Sequence, residues 1–146
     1  MEIKIVNHDF DFKIHGYSGI ALNNDFQGTA FRLMDRMWQT VKSNDLKNKG
    51  INIWIYEEHN KVFAGVELEG AQHSSETTLE YKHVHISHYA RYKHIGAYNL
   101  LKQAGLNMRS ELLGKGYTIR YPYIEIYGHW MSDESKLETD LIMCLE

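Results

Sequence analysis

A chain of 146 residues with 43% hydrophobic content has room for one real core, which predicts a single globular domain over 1–146. Its net charge of −3, with no cluster of lysines or arginines, speaks against direct nucleic-acid binding, because that needs a basic face to displace counterions. No apolar run reaches the length of a membrane span, and "MEIKIVNHDF" lacks the layout of a signal peptide. The single cysteine, Cys144, excludes an internal disulfide and fits a reducing cytoplasm.

The first element is "DFKIHGYSGIAL", read as a strand kinked at Gly16 or Gly19. From Gly28 the apolar positions Phe31, Met34, Trp38 and Val41 recur at helical spacing, with Ala30 and Met37 beside them. This predicts an amphipathic helix of about four turns that runs out by "KNKG", with Gly50 as its stop. Two alternating segments follow, "INIWIY" and "VFAGVEL", separated by the polar turn "EEHNK". After the polar stretch "EGAQHSSETT" the same order returns. "YKHVHISHYARY" reads as one long strand, and Ala97, Leu100, Leu101, Ala104, Met108 and Leu112 form a helical stripe closed by Gly114 and Gly116. "YPYIEIYGHW", the turn "MSDES" and "LETDLIMCL" complete the second half.

The pattern is β-α-β-β twice. It predicts an α+β fold in which two pseudo-symmetric modules form one antiparallel sheet with two long helices on one face. The isoleucine and valine positions, among them Ile53, Ile55, Val62, Val66, Ile124 and Ile126, are expected beneath the helices. Alternation in "YPYIEIYGHW" sets Tyr121, Tyr123, Glu125, Tyr127 and His129 on one face, against Pro122, Ile124, Ile126, Gly128 and Trp130 on the other. The face away from the helices is then expected to carry Trp54, Tyr56, Phe63, Tyr123, Glu125 and Tyr127. An aromatic-lined concavity around one charge is the usual composition of a small-molecule site. A lone glutamate is by default a solvated surface charge, and an aromatic cluster is by default packing. Their shared face is what favours a pocket.

Other chemistry is weaker. His83 and His85 lie two apart on one strand face, but nothing in the sequence supplies the remaining ligands, so no metal and no cofactor are expected. His94 is a candidate base or a local hydrogen-bonding residue. Ser87 and Cys144 have no readable partner for nucleophilic catalysis, and no phosphate-binding glycine loop is present.

These residues together resemble a known family. "YPYIEIYG", with Pro122, Glu125 and Tyr127, resembles the Pro-x-x-Glu-x-Tyr element of GyrI-like small-molecule-binding domains, which also serve as effector-binding parts of AraC- and MerR-type multidrug regulators. "YARYKHIGAY" resembles the family's strand-to-helix segment, here His94, Gly96 and Tyr98. Met37-Trp38 matches the tryptophan of its first helix, and "VFAGVEL" its Gly-Val strand. One departure is Ala97 after Gly96, where the family often has proline. The resemblance implies a paired β-α-β-β fold and a stand-alone effector-binding protein. Its partner would be a hydrophobic, cationic aromatic small molecule held around a buried Glu125, with Tyr127, Tyr123, Trp54, Tyr56 and Phe63 as binding residues. It also leaves two alternatives open. One is hydrolysis of cyclopropane-bearing toxins, with Glu125 activating water and Tyr127 steadying the leaving group. The other is a gyrase-inhibitor type of protein contact. A homodimer or another protein partner is equally open.

Overall fold

Asp25 starts the first helix by accepting a hydrogen bond from the backbone of Gly28 at 3.1 Å, which satisfies one of the free N–H groups of the opening turn. The computed structural model describes residues 1–70 and 76–146, and part of the predicted joining stretch therefore lies outside the described residues. Helix α1 spans Phe26–Ser43 and α2 spans Leu101–Gly114, the latter entered through a 3-10 turn at Tyr98–Leu100. The strands are β1 (Lys4–Val6), β2 (Phe10–Ile20), β3 (Ile53–Tyr56), β4 (Lys61–Val66), β5 (Glu80–Ile86), β6 (Tyr89–Ile95), β7 (Ile119–Tyr127) and β8 (Glu138–Leu145). The fold is α+β, as the repeated pattern predicted.

α1 ends earlier than its glycine suggested. Asn44 folds its side chain back onto the Thr40 carbonyl, and Asp45 takes the left-handed conformation (φ 49°) that stops the helix. Gly50, also left-handed at φ 73°, belongs to the following loop. The buried stripe is Ala30, Met37 and Val41, while Phe31, one step off it, is 55% exposed.

The sheet is antiparallel at every pairing, in the order β1-β6-β8-β7-β3-β4-β2-β5. The triplets β6-β8-β7 and β2-β4-β3 are the two modules, joined at a β3–β7 seam. "YKHVHISHYARY" is not one strand. The chain breaks at Ser87-His88, sending β5 to one edge beside β2 and β6 to the opposite end beside β8. A link this short cannot bridge an open eight-stranded sheet, since each residue reaches at most about 3.6 Å. The sheet must curl until its ends meet. They do so where the Phe10 ring of β2 lies 6.1 Å from the Tyr89 ring of β6, with the Arg91 guanidinium 5.8 Å from Phe10. Gly16 sits where β2 passes from β5 to β4. A Cβ there would run into the Ala64 carbonyl, so only glycine allows this approach.

Curling reverses one expectation. Ile53, Ile55, Ile124 and Ile142 face the concave side, where they pack with Phe12, Ile14, Phe63 and Val84 into a core that the sheet closes on itself. Ile126 packs against this core as well. The helices lie on the other face. There Ala30 meets Trp54, Val62 and Ala64, Met37 and Val41 meet Tyr17 and Val66, and Leu101, Ala104, Met108 and Leu112 meet Leu141, Met143 and Leu145. Both helices share one face as predicted. It is the face of Glu125 and its tyrosines rather than of the isoleucines. Val62 and Val66 are the two predicted positions that the helices do cover. Alternation separates the two faces of a strand but carries no label for which face receives the helices.

Candidate functional site

The seam between the modules sets the candidate residues side by side. Trp54 lies opposite Glu125, and Tyr56 opposite Tyr123, in the β3–β7 pairing. Period-two alternation adds Tyr127 to the same face. Trp54, Tyr56, Tyr123, Glu125 and Tyr127 all line one cavity of about 570 Å³ between the start of α1, α2 and the sheet. Phe63 does not join them. It pairs with Ile55 and points into the isoleucine core, because in the β3–β4 hairpin the odd-numbered positions of both strands face away from the helices.

Glu125 is 8% exposed and accepts three tyrosine hydroxyls. Tyr127 donates to Oε1 at 2.9 Å, Tyr56 to Oε1 at 3.2 Å and Tyr123 to Oε2 at 3.0 Å. Burial pushes the Glu125 carboxyl above the usual glutamate value, and the hydrogen bonds from Tyr127, Tyr123 and Tyr56 offset only part of that push. The tyrosines are shifted too. Burial first, and then the neighbouring carboxylate, raises each of the three well above the ordinary phenol range, so they remain neutral donors.

The rings brace one another. Tyr56 and Tyr123 stack at 5.6 Å between centroids. Tyr127 takes Trp54 edge-on at 4.9 Å and Tyr98 edge-on at 5.5 Å, so the turn before α2 supports the site from behind. Phe26, the first residue of α1, meets Tyr56 edge-on at 6.3 Å. The Trp54 indole N–H is buried without an acceptor among the described residues. A buried donor left in this state is a place for a ligand acceptor or a water.

The remaining sequence candidates lie elsewhere. His94 is buried, and its Nε2 is 3.2 Å from the Ala97 carbonyl, a local contact at the turn leading to α2. His83 and His85 pair across to Asp11 at 2.8 Å and Asp9 at 3.3 Å on the β2–β5 edge. Tyr121 stands half-exposed on the cavity wall, while β7 ends at Tyr127 and leaves Trp130 74% exposed instead of in the core. Cys144 is buried in the isoleucine core, which pushes its thiol up to about 11. Among the described residues no helix is long and apolar enough to cross a membrane.

Sequence reasoning missed the α2 side of the cavity, above all Lys102, Leu106 and Arg109, together with Arg120 on β7. Their helical spacing was visible, but nothing in it distinguishes a pocket wall from an ordinary solvated helix face.

No family model and no curated protein matches the chain. Solved structures do. The EcmrR C-terminal domain superposes with a TM-score of 0.74 at 15% identity, over 99% of this chain and 97% of that one. SAV2435 bound to tetraphenylphosphonium gives 0.67 at 18% identity, over 100% and 94%. A hydrolase from Listeria innocua gives 0.55 at 9% identity, over 99% and 92%. The chain thus has the GyrI-like fold, the class to which its motifs pointed.

Proposed function

We propose that this chain is a small-molecule-binding domain whose cavity takes an aromatic, cationic ligand against Glu125. One observation carries the reading. A carboxylate buried among aromatic rings is held in place by three hydroxyl donors and lines a cavity of ligand size. A charge kept out of water attracts a cation more strongly than a solvated one, and the surrounding ring faces add cation–π attraction. The likeness to SAV2435, a structure that contains tetraphenylphosphonium, supports the same ligand class. Hydrolysis fits the geometry less well. An ionised carboxylate has about four acceptor positions, and the three tyrosine hydroxyls leave Glu125 little capacity to draw a proton from water.

The test is a titration of wild type and Glu125→Gln with tetraphenylphosphonium and with triphenylphosphine oxide, a neutral compound of related shape, followed by tryptophan fluorescence. The variant should lose roughly 2–5 kcal/mol of affinity for the cation, as when one partner of a buried charge pair is removed, and much less for the neutral compound. Affinity of the wild type for the cation should weaken as pH falls through the raised carboxyl value, because the protonated acid offers no counter-charge. Equal losses for both compounds would overturn the reading.

A further inference from the structure

The charges around the cavity are not those of a site for a simple cation. Besides Glu125, two acids line the wall, and both are already engaged. Asp25 caps α1 and lies 3.5 Å from Arg32, and Glu57 meets Lys82 at 2.7 Å. The three cations on the same wall have no such partner among the described residues. Lys102 and Arg109 stand seven residues apart on α2, two turns along one face, with Gly105 and Leu106 between them. Arg120 approaches from the start of β7, next to the register shift between Arg120 and Tyr123. Among the described residues no carboxylate comes within ion-pair reach of any of the three, and all three are exposed. The cavity is therefore bipolar, with a buried acceptor at its base and an unpaired cationic rim.

A lipophilic cation alone would gain from Glu125 and be opposed by the rim. A molecule that also carries an oxyanion would gain from both. We infer that the ligand of this cavity is a zwitterion: an aromatic cation seated against Glu125, with a carboxylate or phosphate group on an arm that reaches Lys102, Arg109 and Arg120. The inference rests on the binding reading above and specifies its ligand class. It also gives the rim a function in selection, since a charge at the mouth affects which molecules enter as well as how long they stay.

The probes are carboxybutyl-triphenylphosphonium and its methyl ester, which share the cation and differ only in the charge of the tail. Both are titrated against wild type and against a Lys102→Gln/Arg109→Gln/Arg120→Gln variant by tryptophan fluorescence. The ratio of ester to acid dissociation constants should fall roughly fivefold from wild type to variant, the scale of three exposed, screened pairs. The ester should bind the variant more tightly than the wild type, because the opposing rim has gone. In wild type alone, the preference for the acid should decline as salt is raised, a readout that does not depend on the variant folding. A ratio unchanged by both substitution and salt would overturn the zwitterion while leaving cation binding intact. Failure of both probes to bind wild type would overturn the binding reading, and this inference with it.

Discussion

Glu125 costs the fold something and puts a buried acid in the cavity. Its folded carboxyl value lies above the ordinary one, so the native state holds the proton more firmly than the unfolded chain does. Glu125 therefore contributes most to stability below the unfolded value near 4.5, and that contribution is lost as pH rises through the raised folded value. Wild type should lose stability relative to Glu125→Gln as pH rises above about 4.5 and through the raised folded value, by about 1.4 kcal/mol for each unit that the carboxyl is raised. Urea unfolding of both proteins across that range measures it, and parallel curves would mean a well-solvated carboxylate. The group around Glu125 was legible because period-two alternation in "INIWIY" and "YPYIEIY" places Trp54, Tyr56, Tyr123 and Tyr127 on its face. Phe63 was misplaced because alternation in β4 fits either face until the hairpin register is known. Lys102, Arg109 and Arg120 were illegible for a different reason: a charge on a pocket rim and a charge in open solvent have the same sequence signature.

The elements follow their local signals closely, and they fail where a signal is shared by two structures. A β-rich run such as "YKHVHISHYARY" has no glycine or proline to mark its break, so only the competition for partners between β2 and β8 shows that it is two strands. The approach to α2 shows the opposite case, where the backbone records a preference that the side chain does not use. Ala97 has φ −62° and ψ 147°, the angle that a proline ring would impose. Its N–H makes no backbone hydrogen bond among the described residues. Ala97→Pro should therefore stabilise the protein by about 0.4–1 kcal/mol, by restricting the unfolded chain at a position already shaped for the ring. Chemical denaturation at neutral pH reads this directly. A loss of stability would mean that Gly96, at φ 140°, cannot adjust to the ring that follows it.

Across the whole molecule, the curl of the sheet decides what each face is for. Because the concave isoleucine face buries itself, the helices are free to cover the outer face, and the gap left between them over the β3–β7 seam becomes the cavity. No pattern within one strand encodes that. It depends on the way the leading strand of each half is used: β1 pairs with β6 of the second half, and β5 with β2 of the first. Each half therefore makes a strand it cannot use and lacks one it needs. In effect the molecule is a domain-swapped dimer whose two protomers have been joined into one chain. Chain continuity between the halves makes the exchange intramolecular at high effective concentration. Fragments 1–70 and 76–146, expressed separately and mixed, should recover the native fold as a one-to-one complex that forms in proportion to concentration. Size-exclusion chromatography with circular dichroism would follow it. Each fragment left alone should pair with its own copy, as a half-length chain that is complete only as a pair would.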